Sequence, residues 1–89
     1  MTSTMNQEIE APIRNFIASN LLYSKDGFTY PDDASLLREG IIDSLGVVEL
    51  VEFLQTQFGV KVEQQDVRPD NFDSVAKMAA FVRRKTGAA

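Results

Sequence analysis

The apolar residues near the N-terminus recur with the period of a helix. Five of them fall on one helical face: Ile9, Ile13, Phe16, Ile17 and Leu21. Pro12 lacks an N–H donor and therefore fits best in a first helical turn. We expect the regular helix to begin near Glu8 or Glu10, or to bend there, and to run to about Tyr23.

The helical pattern then stops over residues 24–42, where the turn-forming sequences SKDG and YPDD occur. A loop of about 20 residues is long for a compact domain and usually has a function or contains short structure. We expect one helical turn at residues 34–37, with its leucines packed under the core. Gly40 should then release the chain into Ile41 and Ile42, which we interpret as inward anchors.

A second helix is predicted from Ser44 to the residue before Gly59. Asp43 and Ser44 form a capping pair, and glycine is the usual residue after a helix C-terminus. The core stripe of this helix comprises Leu50, Val51, Leu54 and Phe58. The opposite face carries Gly46, Glu49, Glu52 and Thr56. Leu45 and Val48 lie beside this polar face, so we expect them to be exposed apolar residues.

The last third of the chain predicts one short helix and one closing helix. The polar stretch at residues 63–67 is long enough for a short helix, which Pro69 ends. The turn after it inserts Phe72 into the bundle, and the final helix starts at about Asp73 or Ser74. Its inner face comprises Val75, Met78, Ala79 and Val82. No segment alternates as a strand would, so the pattern predicts an all-α fold.

The residue types that are missing narrow the chemistry. The 89-residue chain has no Cys and no His, so it lacks a thiolate nucleophile and the commonest general base and metal ligand. We therefore expect no catalytic residues, no metal site and no enzyme activity. With 44% apolar residues the chain can build one core. We expect a single domain over residues 1–89, with a core of about residues 6–86 and frayed termini.

Charge and hydropathy bear on partners and location. Nine Lys and Arg residues against 13 Asp and Glu residues give a net charge of -4, which disfavours nucleic acid because binding it requires neutralising phosphates. Basic protein surfaces are the more natural partners.

No apolar run approaches the roughly 20 residues of a membrane span, and the N-terminus lacks the pattern of a secretory signal. We expect a cytoplasmic monomer, since no large apolar stripe remains once the bundle is assembled.

One motif combines a helix start with an accessible hydroxyl. Residues 40–45, GIIDSL, lead into the amphipathic second helix, and Ser44 lies at its positive end, where N–H groups are unpaired. A phosphodiester on the serine oxygen would interact favourably with the helix dipole and the free amides. The same dipeptide recurs as Asp73-Ser74, without the GII anchor before it or the acidic face after it. We therefore interpret Ser74 as a helix cap only.

The run GIIDSLGVVELVEFL at residues 40–54, followed by FGV at residues 58–60, resembles the acyl carrier and peptidyl carrier protein family. The resemblance covers nearly the whole chain. It implies an all-α four-helix bundle of acyl-carrier type, with three main helices, one short helix and a long first loop. In that family the serine of an Asp-Ser-Leu triplet receives 4'-phosphopantetheine, which implies attachment at Ser44, between Asp43 and Leu45. The helix that follows is the family's main recognition helix for partner enzymes.

The resemblance also implies a set of partners. A separate phosphopantetheinyl transferase would move the group from coenzyme A to Ser44, using magnesium held at the transferase. The carrier would catalyse nothing and would hold acyl or aminoacyl groups as thioesters. An acyl- or aminoacyl-adenylating ligase would load them, and downstream synthase or transferase enzymes would use them. The expected docking face comprises Glu39, Leu45, Val48, Glu49 and Glu52, with Asp43 contributing from the loop.

Departures from the family pattern favour a specialised carrier. Gly46 replaces the acidic residue usual in carriers of general fatty acid synthesis, and polar uncharged residues replace expected carboxylates at Gln55, Thr56 and Gln57. These residues look more like D-alanyl carrier proteins and free-standing carriers that serve a dedicated adenylate-forming ligase. Two alternatives stay open: a housekeeping fatty-acid carrier, and an unmodified helical interaction module in which Ser44 is only a cap. The sequence does not identify the cargo.

Overall fold

The structure is a computed structural model that describes the backbone of residues 2–87 and the side chains of residues 9–87. The described residues form four α-helices, numbered in chain order: α1 Thr2–Ile17, α2 Ser44–Phe58, α3 Pro69–Phe72 and α4 Val75–Thr86. A π-helical turn, Ala18–Leu22, continues α1, and a 3-10 turn, Gln64–Asp66, precedes α3. No strand occurs within residues 2–87. The predicted all-α bundle of three main helices, one short helix and a long first loop is confirmed.

The core forms where the apolar faces of α1, α2 and α4 meet. Its buried side chains come from these helices and from the segments between them: Ile13, Ile17, Leu36, Leu50, Leu54, Phe72, Val75, Met78, Ala79 and Val82. The predicted inner face of α4 is thereby confirmed. Phe81, which that prediction omitted, is also buried and packs against Phe72 with ring centroids 5.6 Å apart. Burying one such side chain contributes roughly 1.5–3 kcal/mol, so this shared core determines how the helices assemble.

The first helix begins earlier than the position of Pro12 suggests. Its first residue is Thr2 and Pro12 lies inside it, so a start near Glu8 or Glu10 is wrong, and the other predicted alternative, a bend at this point, stays a prediction. An interior proline removes one N–H donor and its ring crowds the carbonyl four residues before it, but this disturbance is local and the helix continues on both sides. The predicted end is confirmed, because the π turn runs up to Tyr23, which has a left-handed backbone with φ of 52°.

The long first loop is held against the helices at three places. The Arg14 guanidinium donates two hydrogen bonds to the Asp32 carboxylate, at 2.7 and 2.6 Å. The Asp32 carbonyl accepts a hydrogen bond from the Ala76 N–H at 2.8 Å. The Leu36 N–H donates to the Asp73 carbonyl at 2.7 Å. The loop therefore connects α1 with the start of α4, although it contains little regular structure.

The predicted helical turn in this loop lies one residue later than expected. The Glu39 N–H donates to the Ser35 carbonyl at 2.9 Å, which closes a single turn. Leu36 is fully buried, whereas Leu37 is 44% exposed, so the prediction that both leucines pack under the core is wrong for Leu37. Successive residues of such a turn point about 100° apart, so only one of two neighbours reaches the core.

The segment before α2 turns inward as predicted. Gly40 has a φ of 74°, which glycine adopts without strain. Ile42 is buried, and Ile41 packs against the core in a partly buried position. Gly46, predicted on the outer face of α2, is instead buried, and a Cβ atom built on it would lie 3.3 Å from the Ile42 Cβ. Glycine has no side chain to enter a hydrophobic pattern, so this contact could not be predicted from the pattern.

The second helix has its predicted bounds, and Gly59 ends it with a left-handed backbone. Leu50 and Leu54 of its predicted core stripe are fully buried. Val51 and Phe58 pack against the core in partly buried positions. The stripe therefore faces inward along the whole helix, which leaves the opposite face free for other uses.

The connection between α2 and α4 differs from its prediction at Pro69. The predicted short helix is the 3-10 turn, Gln64–Asp66, and it ends before Pro69 is reached. Pro69 does not terminate that turn. It is the first residue of α3, where a missing N–H leaves no hydrogen bond unmade. Phe72, at the end of α3, is buried as predicted.

The last helix ends close to the C-terminus. Ser74 caps its start, and Gly87 follows its last residue with a left-handed backbone. Residues 88 and 89, which belong to the predicted frayed terminus, lie outside the described residues. Across residues 2–87, no helix combines the length and the apolar character that crossing a membrane requires.

Candidate functional site

The start of α2 is capped by Asp43 rather than by Ser44. The backbone of Asp43 is extended, and its Oδ1 atom accepts a hydrogen bond from the Gly46 N–H at 2.9 Å. Its carbonyl oxygen accepts the first helical bond, from the Val47 N–H at 2.9 Å. Asp43 therefore fulfils the whole N-cap role, and Ser44 is the first residue of the helix proper.

This division of roles leaves Ser44 with an unengaged hydroxyl. Ser44 is exposed, and within the described residues its hydroxyl takes part in no hydrogen bond. The N–H groups of Ser44 and Leu45 are likewise unbonded in that part of the chain. An exposed hydroxyl, two free amides and the positive end of a 15-residue helix therefore coincide. The residues present fit a phosphate ester, whose charge the amides and the dipole stabilise.

Beside Ser44, α2 presents an exposed face that mixes apolar and acidic residues. Leu45 is 67% exposed and Val48 is 57% exposed, as predicted. Glu49 and Glu52 are exposed on the same helix, and Glu39 is exposed in the loop turn that precedes it. The predicted docking residues are thus all accessible, whereas α2 buries its other side in the core.

The carboxylates of this face are not neutralised by neighbouring cations. The ion pairs of the described residues use other carboxylates, those of Glu10, Asp32, Glu63, Asp66 and Asp70. Within the same part of the chain, Glu39, Glu49 and Glu52 form none. An unneutralised acidic face attracts a basic partner surface and accelerates association with it.

Cavities flank α2 on two sides. One of about 100 Å³ lies between α2 and α3 and is lined mainly by apolar side chains, among them Val47 and Phe72. Another of about 300 Å³ lies between the end of α1 and the start of α2, where Tyr23 and Leu45 form part of its walls. Both cavities include Ile42, so the anchor before α2 separates them.

The second Asp-Ser pair serves the fold. Ser74 is 2% exposed, and its Oγ atom accepts a hydrogen bond from the Lys77 N–H at 3.0 Å. The prediction that Ser74 caps the last helix is confirmed. Its hydroxyl is both buried and engaged, so a modifying enzyme cannot reach it without opening the start of α4.

One exposed aromatic residue near the start of α2 is not among the predicted site residues. Tyr23 is 82% exposed, has a left-handed backbone and lines the same cavity as Leu45. The helical pattern ends at this residue, so the sequence marked it only as a boundary. The signal that could have identified it is an aromatic residue at a position where Gly or Asn usually ends a helix.

Comparison with known proteins gives a consistent result. A family profile described as a phosphopantetheine attachment site matches residues 11–82. A probable acyl carrier protein of a Serratia species, PigG, is 34% identical over 77 residues, which cover 85% of this chain and 86% of that protein. D-alanyl carrier protein 1 of Lactiplantibacillus plantarum is 40% identical over 50 residues, covering 56% and 62% respectively. The acyl carrier protein of Thermotoga maritima is 27% identical over 81 residues, covering 91% and 95%.

The matched range spans most of the chain and includes the triplet Asp43, Ser44 and Leu45. It also includes the whole of α2 and α3, the whole of the long first loop, and parts of α1 and α4. The fold, the accessible helix start and the matched range thus agree. The chain belongs to the phosphopantetheine-binding carrier proteins, a non-catalytic family whose members hold acyl or aminoacyl groups as thioesters on covalently bound 4'-phosphopantetheine.

Proposed function

We propose that Ser44 is the residue that carries the 4'-phosphopantetheine group. The proposal rests on one observation: Asp43 caps α2, so the Ser44 hydroxyl stays exposed and unbonded among the described residues. Ser74, in the other Asp-Ser pair, is buried and hydrogen bonded. The accessible serine is therefore the better acceptor of the two.

The attachment forms one bond and breaks another. The Ser44 Oγ atom attacks the phosphorus that bears the pantetheine arm in coenzyme A, and the bond to adenosine 3',5'-bisphosphate breaks. The transferase or solvent takes up the hydroxyl proton. The bound group supplies a terminal thiol, which this chain without cysteine does not have. The N–H groups of Ser44 and Leu45 then lie next to the phosphate and favour its charge.

Partner enzymes dock, in this proposal, on the face beside Ser44. The face comprises Glu39, Leu45, Val48, Glu49 and Glu52, with Asp43 at its edge. Its support is the exposure of two large apolar residues next to carboxylates that form no ion pair in the described residues. Such a small, charged interface favours fast association over tight binding. That suits a carrier, whose tether raises the local concentration of cargo only while it visits each enzyme.

We propose further that a dedicated adenylate-forming ligase loads an acyl or aminoacyl cargo. The identity of 40% with a D-alanyl carrier protein, over 50 residues, supports a specialised carrier. So does Gly46, which lies where carriers of general fatty acid synthesis usually have an acidic residue. The cavity between α2 and α3 is only about 100 Å³, which suits a small cargo that stays outside the core.

The attachment site is tested by intact mass. The purified protein is incubated with coenzyme A, magnesium and a broad-specificity phosphopantetheinyl transferase. We expect the wild type to gain one phosphopantetheine, Ser44→Ala to gain none, and the matched control Ser74→Ala to gain one. A wild type that gains nothing would favour the unmodified interaction module. If Ser44→Ala still gains a phosphopantetheine, the group is attached to another residue.

Loading is tested on the modified protein. Candidate adenylating enzymes are supplied with ATP and single amino or fatty acids, and the thioester is detected by mass and by its release with hydroxylamine. Transfer of an amino acid or a short acyl group supports the specialised carrier, and transfer of long fatty acids alone would support the housekeeping alternative.

Three properties stay predictions: the single domain over residues 1–89, the monomeric state and the cytoplasmic location. Light scattering of the purified protein checks the monomeric state.

A further inference from the structure

A groove follows the contact between α1 and α2, beside the proposed docking face. It consists of two adjoining cavities of about 300 and 360 Å³, whose walls share Asn20 and Glu49. The first section reaches Leu45 at the start of α2. The second continues along the helix to Phe53 and Thr56. The groove thus follows most of the length of α2.

The charged side chains in the walls of this groove are all acidic. Asp43, Glu49 and Glu52 contribute carboxylates, and none of the described lining residues is a Lys or Arg. Within the described part of the chain, neither Glu49 nor Glu52 has an ion-pair partner. An occupant with cationic side chains is therefore complementary to these walls.

The α1 wall of the groove carries Tyr23, whose position the stability of the fold does not explain. Tyr23 is 82% exposed, so its ring buries little surface. Its φ of 52° lies in the left-handed region, where a side chain with a Cβ atom is disfavoured. The two other long helices end with Gly59 and Gly87, which adopt this conformation freely. An exposed aromatic ring at such a position offers contact area to a partner.

We propose that a cationic segment of the phosphopantetheinyl transferase occupies the groove, with Tyr23 as its aromatic anchor on the α1 side. This inference rests on the proposed attachment at Ser44 and extends the docking face from α2 to the end of α1. Tyr23 and Leu45 line the same cavity, so one apolar side chain of the transferase contacts both. Its Lys or Arg residues meet Glu49 and Glu52. The enzyme then covers the start of α2, where Ser44 enters its active site.

The test compares transferase kinetics with thermal stability. For each variant, KM and kcat of modification are measured with a broad-specificity transferase and coenzyme A, and Tm is measured separately. Tyr23→Gly should raise KM about tenfold, the effect of removing an aromatic anchor, and change kcat by less than about twofold. Its Tm should equal or exceed that of the wild type, because glycine relieves the left-handed backbone. Tyr23→Asn, which also tolerates this backbone, should raise KM similarly.

Two further variants separate the groove from a general surface effect. Val67 is 41% exposed and lines the cavity on the other side of α2, so Val67→Ser is the matched control and should leave KM within about twofold of wild type. The double variant Glu49→Gln, Glu52→Gln should raise KM at low salt and weaken its dependence on ionic strength.

Each outcome decides the proposal. A KM unchanged in both Tyr23→Gly and Tyr23→Asn overturns it. A higher KM accompanied by a lower Tm in both variants assigns Tyr23 to the fold and overturns it as well. If the wild type gains no phosphopantetheine, the proposal that fails is the attachment at Ser44 and not the anchoring by Tyr23. The two failures are therefore distinguishable.

Discussion

The chain contains two Asp-Ser pairs, and the helices that follow them begin at different residues of the pair. At α2 the aspartate is the cap, so the helix begins at Ser44 and the hydroxyl of this serine is exposed. At α4 the serine is the cap, so the helix begins one residue after Ser74 and the hydroxyl is buried. The same dipeptide thus yields an accessible hydroxyl in one place and a structural hydrogen bond in the other.

The difference originates in what each aspartate contacts. The Asp73 carboxylate accepts hydrogen bonds from the Leu37 N–H at 2.9 Å and from the Ser35 hydroxyl at 2.7 Å. Because the long loop engages this carboxylate, Ser74 serves as the cap. The Asp43 carboxylate has no such loop contact among the described residues and binds the N–H of its own helix. Tertiary contact, rather than the local sequence, therefore decides which residue caps.

Removing the Asp73 carboxylate should affect stability most. Asp73→Ala leaves the Leu37 N–H and the Ser35 hydroxyl without their charged acceptor, which should cost about 2–3 kcal/mol of the free energy of unfolding. Asp43→Ala removes only a cap and should cost about 1 kcal/mol. Urea unfolding of the two variants measures the difference. Equal losses would contradict the view that the loop contact distinguishes the two pairs.

The next largest effect is expected at the two serines. Replacing Ser74 should cost stability, whereas replacing Ser44 should abolish modification and leave stability nearly unchanged. Ser74→Ala removes the acceptor of the Lys77 N–H and should cost about 1 kcal/mol of the free energy of unfolding. Ser44→Ala removes an exposed hydroxyl without a partner and should stay within about 0.5 kcal/mol of wild type. The urea midpoints check this. A marked loss in Ser44→Ala would show that its hydroxyl contributes to the helix start after all.

Acid should weaken the Asp73 contact. Burial raises the pKa of the Asp73 carboxyl, and the hydrogen bonds from Leu37 and Ser35 lower it. The charges of Lys77 and Arg38 also lower it, and the net result is a pKa below the ordinary value. A carboxyl with a lowered folded-state pKa stabilises the fold above about pH 4, and this contribution is lost as pH falls through the folded-state pKa. Asp73→Asn should therefore make the urea midpoint fall less steeply in this range.

The same measurement has an internal reference. The pKa of Asp32 is lowered chiefly by its hydrogen bond from Arg14, and that of Asp66 chiefly by its hydrogen bond from Lys85. The Asp73→Asn variant should therefore keep part of the acid sensitivity of the wild type. If the urea midpoint of Asp73→Asn falls with pH as steeply as that of the wild type below about pH 4, the role assigned to Asp73 is contradicted.

Most of the fold could be predicted because periodic apolar residues and helix ends are local signals. The bounds of α2 follow from Asp43 and Gly59, and the inner face of α4 follows from its spacing. The start of α1 did not follow, because Pro12 reduces helix formation locally without ending it. The exposure of Leu37 could not be predicted either, because Leu36 and Leu37 are adjacent and the hydrophobic pattern does not distinguish the buried leucine from the exposed one.

The site could be predicted in part. The position of Ser44 at a helix start and the exposure of Leu45 and Val48 follow from local pattern, and the structure agrees on both. The division of roles within the Asp43-Ser44 pair could not be predicted. In the other pair the roles are reversed, because the Asp73 carboxylate accepts a hydrogen bond from Leu37, which is 36 residues away in sequence. No local rule reports whether a distant loop will engage a carboxylate.

The smallest effect is expected where the two helix starts are compared at their third residue, Gly46 in α2 and Lys77 in α4. Each donates its N–H to the cap side chain. In Gly46→Ala, a gain in helix propensity of about 1 kcal/mol opposes the new contact with Ile42, 3.3 Å from the added Cβ. The two terms should nearly cancel, leaving the free energy of unfolding within about 0.5 kcal/mol of wild type.

Larger substitutions separate the two positions. Gly46→Val should lose about 1–3 kcal/mol, because the extra methyl groups overpack the contact with Ile42. Lys77 is exposed, so Lys77→Val should cost less than about 1 kcal/mol, from the propensity difference and the lost attraction to the Asp73 carboxylate. Thermal and urea unfolding of the pair measure this contrast. Equal effects at the two positions would mean that Gly46 is not packed against the segment that holds Asp43 in its capping position.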